Sequence, residues 1–154
     1  MKTIIGGTFG YLHLGHKALL AKAFEIGDYV YIGLTTDAYV NKVKGSEKIP
    51  GYSERESALR KFVEKFGKRF EIVPLSDKFG PSITGDFDAI VVTEETLPTA
   101  MKINRIRENS NLQPLSIVRI DYVLASDSMP ISTTRIAKGE IDSEGKRIKD
   151  RSVD

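Results

Sequence analysis

The sequence predicts an α/β protein, and three observations carry that prediction. Short apolar or β-branched runs alternate with longer segments of helical periodicity along the chain. The runs at residues 3–5 and 89–92 are continuously apolar, as in strands that are covered on both faces of a sheet. Neither an internal repeat nor a linker divides the sequence. We therefore expect a single Rossmann-like domain, with a doubly wound, five-stranded parallel sheet and helices on both faces.

The strands are predicted where β-branched and aromatic residues cluster between turn signals. The first is Thr3-Ile4-Ile5, and its continuous apolar character is typical of a buried central strand. The other predicted strands lie at residues 28–35, 69–75, 88–93 and 115–120.

The helices are predicted where apolar residues recur at helical spacing. One covers residues 14–26 and ends before Gly27, and a short one opens at residues 36–37. Ser53 and Glu56 form a predicted capping box for a helix that runs to about residue 66. A further helix is predicted at residues 97–109.

The composition bounds the function. With 154 residues, 40% of them hydrophobic and 29% charged, the chain can bury a substantial core. A formal net charge of +2 gives no broad basic surface for non-specific nucleic-acid binding. The absence of cysteine excludes disulfides, thiolate nucleophiles and cysteine-ligated metals. We expect no nucleic-acid or membrane partner, a cytoplasmic location, a domain at residues 1–142 and a charged tail at residues 143–154.

A glycine-rich loop follows the first strand and leads directly into a helix. Gly6 and Gly7 let the backbone turn sharply at the end of the strand, with no Cβ to obstruct a ligand. The unpaired amides and the positive dipole end of the following helix point at the same place, where Thr8 can add a hydroxyl donor. These features predict a nucleotide site.

Two histidines stand at the start of that helix. His13 and His16 are three residues apart, so their imidazoles project to one side of the first turn, and Gly15 keeps that side open. Zinc binding is the alternative, but with no cysteine and no third histidine it would need carboxylates from elsewhere. We therefore predict no metal site at this pair.

A group of lysines lies between two predicted helices. Lys42, Lys44 and Lys48 are predicted in a loop that contains Gly45 and closes at Pro50. The loop emerges beyond the carboxyl end of a strand, the side on which open α/β sheets bind ligands. An anion contact and a solvated surface are equally compatible with this pattern.

The stretch at residues 130–136 also concentrates anion-binding groups. Ser132 or Thr133 can cap a helix whose first turn carries Arg135, so hydroxyls, free amides and a guanidinium converge. Taken alone, the stretch favours an ordinary capped surface helix.

Together, the two stretches resemble a known family. Residues 6–16 are similar to the GGTFDxxHxGH loop of the HxGH nucleotidyltransferases, although Gly10 stands where that family commonly has Asp. The Ile-Ser-x-Thr-Arg run at residues 131–135 is at the matching distance. Within this superfamily the chain looks most like the archaeal and eukaryotic type of phosphopantetheine adenylyltransferase. The resemblance is carried by residues 6–16, 33–37, 91–96, 103–107 and 120–136.

The resemblance implies a reaction. The adenylyl group of ATP would pass to 4′-phosphopantetheine, giving dephospho-coenzyme A and pyrophosphate, with Mg²⁺ accompanying the nucleotide. Because the acceptor is already a phosphate anion, direct in-line attack on the α-phosphorus needs no strong base and no covalent intermediate.

The same resemblance implies roles for individual residues. His16 would steady the α-phosphate, His13 the neighbouring phosphates, and Thr8 would hold donor and acceptor in line. Lys44 or Lys48 would bind the acceptor phosphate. Further nucleotide contacts are implied at Gly6, Gly7, Phe9, Gly15, Thr93, Glu94, Asn104 and Arg107, with Ser132, Thr133 and Arg135 on the β- and γ-phosphates.

Two alternatives stay open at this point. One is another HxGH nucleotidyltransferase, either a cytidylyltransferase or an adenylyltransferase that acts on FMN or NMN. Cytidylyltransferases typically carry an Arg-Thr-x-Gly-Ile-Ser-Thr-Thr run, whereas here Met129 and Pro130 precede Ile131. The other alternative is a non-catalytic module that senses ATP, which turnover would distinguish from an enzyme.

Overall fold

The structure of this protein is a computed structural model that describes residues 1–44, 48–129 and 131–148, and it contains one β-sheet. Its strands are β1 (Lys2–Gly7), β2 (Tyr29–Thr35), β3 (Arg69–Leu75), β4 (Ala89–Val92) and β5 (Ser116–Arg119). They form one sheet in the order β3-β2-β1-β4-β5, and all neighbouring pairs are parallel. The predicted five-stranded parallel sheet is confirmed.

The helices alternate with the strands along the chain. They are α1 (Leu14–Ile26), α2 (Asp37–Lys44), α3 (Tyr52–Glu64), α4 (Leu97–Asn109) and α5 (Thr133–Ala137), with a 3₁₀ turn at Gly80–Ile83. The predicted bounds of α1 and α4 match the observed ones. In the part of the chain that is described, no helix is long and apolar enough to cross a membrane.

Two local predictions were wrong. Lys42 and Lys44 lie in the last turn of α2 rather than in a loop. The predicted capping box at Ser53 is absent, because α3 begins two residues earlier than predicted, at Tyr52, with Gly51 as its N-cap. The Tyr52 N–H is instead capped from another element, by Asp37 Oδ1 at 2.9 Å.

The side chains of the strands alternate between two apolar cores. Ile5 and Val91 belong to the core that α1 and α3 cover, whereas Ile4 and Ile90 belong to the core beneath α4 and the 3₁₀ turn. Burial on both faces explains why these strands read as continuous apolar runs. It also confirms the prediction of helices on both sides of the sheet.

The chain after β5 folds against the N-terminus of α1. A small third core of Ala125, Ile131 and Ile141 holds this part together. The Ser143 carbonyl accepts a 3.0 Å hydrogen bond from the Leu14 N–H, at the first residue of α1. The Ile148 N–H also donates to the Glu140 carbonyl at 3.0 Å.

The strand order places the glycine-rich loop at a topological switch point. The connection from β1 leads to β2 on one side, while β4 lies on the other side of β1. In open α/β sheets, the loops that diverge at such a point leave a crevice that binds ligands. The loop after β1 opens into this crevice.

Candidate active site

The glycine-rich loop is built over a buried aromatic ring. Phe9 has a φ of 49°, a left-handed backbone conformation that is uncommon for residues other than glycine. Its side chain is buried beneath the loop. A Cβ on Gly7 would come within 3.1 Å of the Phe9 ring. Leu12 also has a positive φ, of 41°. Positive φ values at two non-glycine residues mark the loop as held in shape by its surroundings.

His13 and His16 cap α1 for each other. His13 Nδ1 accepts the His16 N–H at 3.2 Å, and His16 Nδ1 accepts the His13 N–H at 3.3 Å. The two rings stack with centroids 3.6 Å apart and an interplanar angle of 17°. The histidine pair is therefore a reciprocal capping box with imidazoles in place of the usual hydroxyl and carboxylate.

This capping fixes the tautomer of both rings. An imidazole whose Nδ1 accepts a hydrogen bond is neutral and carries its proton on Nε2. Burial lowers the pKa of His13 to about 4, so His13 stays neutral near pH 7. Each ring thus has an Nε2–H donor at the edge remote from the helix backbone.

Gly15 leaves the space that the His13 ring occupies. A Cβ at Gly15 would lie 2.8 Å from His13 Cε1 and 3.0 Å from His13 Nδ1. A side chain at this position would push the ring out of its capping position. The glycine of the His-x-Gly-His motif is thus explained by packing, not by a special backbone conformation.

A buried arginine holds the backbone of Thr8 in place. Arg55, on α3, donates from Nη1 to the Thr8 carbonyl at 3.0 Å and approaches Thr35 Oγ1 at 3.4 Å. Its Nη2 pairs with Asp37 Oδ1 at 3.0 Å. Thr35 donates its hydroxyl proton to Thr8 Oγ1 at 3.0 Å. The loop, the end of β2 and the start of α2 are therefore held in one network.

Sequence reasoning missed Arg55, although a signal was present. Arg55, Leu59 and Val63 are spaced by four residues, so they share one face of α3, and all three are buried. A charged residue on an apolar helix face must find polar partners inside the protein. That periodicity marks Arg55 as a structural or functional arginine rather than a solvated one.

Two cavities adjoin the loop. The larger, of about 290 Å³, brings together nine predicted site residues: Gly6, Gly7, Thr8, Phe9, His13, Gly15, His16, Thr93 and Ser132. The smaller, of about 220 Å³, is mainly apolar and lies between the sheet and the 3₁₀ turn. Gly6, Gly7 and Thr96 line both cavities, which therefore meet at the loop.

The predicted site residues outside the glycine-rich loop differ in their position relative to the larger cavity. Glu94 does not line the larger cavity, whereas its neighbours Thr93 and Glu95 do. The carbonyl of Lys48 accepts a hydrogen bond from the Tyr11 hydroxyl, which holds the Lys48 segment beside the glycine-rich loop. The side chain of Lys44 lies outside the described residues.

Arg135 is engaged by two carboxylates. Its Nη2 pairs with Asp127 and its Nε with Glu140 at 3.0 Å. The hydrogen bonds to Asp127 and Glu140 raise the pKa of Arg135. The hydrogen bond from Arg135 lowers the pKa of Asp127. Ser132 Oγ accepts the Arg135 N–H at 3.2 Å, so Ser132 is the one of the two predicted candidates that caps α5. The side chain of Thr133 lies outside the described residues.

Asn104 and Arg107, which the sequence predicts as nucleotide contacts, line neither of the two cavities. The Asn104 amide exchanges two hydrogen bonds with the backbone of Leu115, at 2.7 and 2.9 Å. Arg107 is buried near the end of α4 and donates to the carbonyls of Ser82, Gly85 and Gln113. These hydrogen bonds tie α4 to the backbone before β5 and to the segment around the 3₁₀ turn.

Carboxylates are sparse around the site. Glu95 and Asp121 line the larger cavity. In the described ranges, no three His, Asp or Glu side chains are grouped closely enough to hold a metal ion together.

Comparison with known proteins agrees with this architecture. The family model described as cytidylyltransferase-like matches residues 4–139. A phosphopantetheine adenylyltransferase from Methanosarcina mazei is 47% identical over 154 residues, covering 97% of this chain and 98% of the relative. One from Methanosarcina acetivorans is 50% identical over 150 residues and covers 94% of each chain.

A solved structure extends the comparison to three dimensions. A protein of unknown function from Archaeoglobus fulgidus matches with a TM-score of 0.71 and 32% identity, over 79% of this chain and 90% of that one. The fold, the paired histidines and the family match define a cytidylyltransferase-like nucleotidyltransferase. Within that class, the chain belongs to the phosphopantetheine adenylyltransferase family.

Proposed function

We propose that this protein transfers the adenylyl group of ATP to 4′-phosphopantetheine, giving dephospho-coenzyme A and pyrophosphate. The observation that carries the proposal is the reciprocal capping of His13 and His16 at the switch-point loop. It supplies two neutral N–H donors beside the N-terminus of α1, where helix amides and the helix dipole favour phosphate. The names of the relatives supply the identity of the two substrates.

ATP would occupy the larger cavity. This cavity is lined by the glycine-rich loop and both histidines on one side and by the segment after β4 on the other. His16 would donate to the α-phosphate and His13 to the neighbouring phosphates. Both rings are fixed by their own capping bonds, so little reorganisation is needed when charge develops on the phosphate oxygens.

The acceptor would occupy the smaller cavity. Its lining includes Leu75, Phe79 and Ile103, with Tyr39 and Lys78 among the polar residues. Pantetheine is a long, mainly aliphatic arm with two amides, so a mainly apolar cavity with several polar side chains fits its chemistry. Because the two cavities share Gly6, Gly7 and Thr96, the acceptor phosphate would reach the nucleotide at the loop.

The chemical step would be an in-line displacement. The acceptor phosphate oxygen attacks the α-phosphorus, and the bond to the bridging oxygen of pyrophosphate breaks. Positioning and charge stabilisation supply the catalysis, through His16, Thr8 and a lysine at position 44 or 48. No group on the protein has to become a nucleophile.

Mg²⁺ would enter with ATP. Magnesium is held largely by triphosphate oxygens and water in such sites, with one or two carboxylates at most. Glu95 and Asp121, which line the larger cavity, are carboxylates of the type that Mg²⁺ accepts. When bound, the ion would neutralise charge on the leaving pyrophosphate.

A direct assay tests the proposal. The protein is incubated with ATP, Mg²⁺ and 4′-phosphopantetheine, and dephospho-coenzyme A and pyrophosphate are measured by mass spectrometry and an enzyme-coupled assay. CTP in place of ATP, and FMN or NMN as acceptor, test the other nucleotidyltransferase activities. ATP binding without turnover on any acceptor would identify a sensor and contradict the proposal.

A further inference from the structure

The hydrogen bonds around Arg55 have a fixed direction. A guanidinium donates hydrogen bonds and cannot accept them, so the Thr35 hydroxyl facing Nη1 at 3.4 Å is the acceptor there. Thr35 then gives its own proton to Thr8 Oγ1, 3.0 Å away. Because the Thr8 oxygen accepts from Thr35, the proton of Thr8 is left for a different partner.

The position of Thr8 indicates where that partner lies. Thr8 lines the larger cavity and Thr35 lines the smaller one, so the pair stands where the two cavities meet. Arg55 is 1% exposed and Thr35 is 5% exposed, so the contact between them is buried, whereas Thr8 faces the larger cavity.

Arg55 is itself held in place on the opposite side. Its Nε donates to the Pro50 carbonyl at 2.8 Å, and its Nη2 pairs with Asp37 at 3.0 Å. These contacts, with those to Thr8 and Thr35, use the planar fork of the guanidinium. A lysine has one compact ammonium and cannot reproduce the set.

We infer that Arg55 and Thr35 are positioning residues that aim the hydroxyl proton of Thr8 at a phosphate oxygen in the larger cavity. The order of donation runs from Arg55 to Thr35, from Thr35 to Thr8, and from Thr8 to the phosphate. The inference rests on the proposed function for the identity of that phosphate, which belongs to ATP.

A matched pair of variants isolates the relay. Thr35→Val keeps the shape of the side chain but removes the hydroxyl, and Thr35→Ser keeps the hydroxyl. We expect Thr35→Val to lower kcat by about 10-fold to 10²-fold and to weaken ATP binding by about threefold or more, since a charge-assisted hydrogen bond loses its aim. Thr35→Ser should restore most of both, which a purely structural role of the γ-methyl group would not predict.

A double-mutant cycle tests whether the effect passes through Thr8. In a Thr8→Val background, Thr35→Val should have little further effect on kcat, because there is no hydroxyl left to orient. Arg55→Lys should lower kcat in both backgrounds, because Arg55 also holds the Thr8 carbonyl, but by a smaller factor in the Thr8→Val background. Arg60 is an exposed arginine on the same helix, so Arg60→Lys is the control and should leave kcat unchanged in both backgrounds.

The outcomes separate the relay from the proposed function. Absence of turnover by the wild type would contradict the proposed function, and calorimetric ATP binding to Thr35→Val and Thr35→Ser would then decide the relay alone. Equal ATP affinity and equal kcat in wild type and Thr35→Val would overturn the relay. Additive losses in the double variants would also overturn it.

Discussion

The imidazoles of His13 and His16 each accept the backbone N–H of the other residue, at 3.2 and 3.3 Å. The relationship couples two properties that are usually separate. The same Nδ1 atoms that stabilise the start of α1 fix the proton of each ring on Nε2, where it can be donated to an anion. Asparagine can replace the capping acceptor but not the Nε2 donor, so the two roles can be tested independently.

The first prediction concerns the pH dependence of stability. The pKa of His13 is about 4 in the folded protein and 6.5 in the unfolded chain, so the unfolded chain binds more protons between these values. The free energy of unfolding should therefore fall as the pH falls from about 6.5 to 4, by about 1.5 kcal/mol between pH 6.5 and pH 5. Denaturant titrations at several pH values measure it.

His13→Asn is the control for that slope. The variant keeps a capping acceptor but has no group that titrates in this range, so its curve should lack the contribution of His13. Identical pH slopes for wild type and His13→Asn would contradict the assignment.

The second prediction concerns His16. His16→Asn should lower kcat by about 10² to 10³, the usual loss when one preorganised donor to a developing charge is removed. Because the cap is kept, the melting temperature should change little, and ATP affinity should fall far less than kcat. A large loss of ATP binding with kcat intact would show that His16 acts only on the ground state.

The third prediction concerns the acceptor phosphate. Lys48→Ala or Lys44→Ala should raise the KM for 4′-phosphopantetheine more than the KM for ATP, since the proposed contact is with the acceptor. Lys42→Ala, an exposed lysine on α2, serves as the control. If both variants have wild-type kinetics, the lysines are a solvated surface.

The fourth prediction concerns Arg135. Its fork can hold two phosphate oxygens, which lysine cannot, so Arg135→Lys should weaken binding of ATP and pyrophosphate by about tenfold. To bind them, the guanidinium must exchange Asp127 or Glu140 for phosphate. Affinity for 4′-phosphopantetheine should stay near normal. Unchanged calorimetric titrations with ATP and pyrophosphate would limit Arg135 to its two ion pairs.

The fifth prediction tests the structural role found for Asn104. Asn104→Ala leaves the N–H and carbonyl of Leu115 without their partner, which should cost about 1–3 kcal/mol of stability. ATP affinity should be unchanged. Weaker ATP binding at full stability would instead support the nucleotide contact predicted from sequence.

The features that the sequence determined are local ones. The strands and helices follow from apolar periodicity, and α1 and α4 have the predicted bounds. The histidine pair depends on contacts three residues apart, so its placement on one turn was predictable. The strand order, and with it the switch-point position of the loop, was not predicted, because the alternation of strands and helices leaves several orders open.

Only the tertiary structure shows which groups Arg55, Arg107 and Asn104 contact. An arginine on a helix can contact phosphate, solvent or a buried carbonyl, and its neighbours in sequence do not distinguish these. Arg55 meets Thr8 from 47 residues away, and Arg107 meets Ser82 and Gly85 from 25 and 22 residues away. Buried hydrogen-bond donors and acceptors must pair inside the protein. The backbone carbonyls that pair with a buried guanidinium belong to loops that come together only when the sheet has formed.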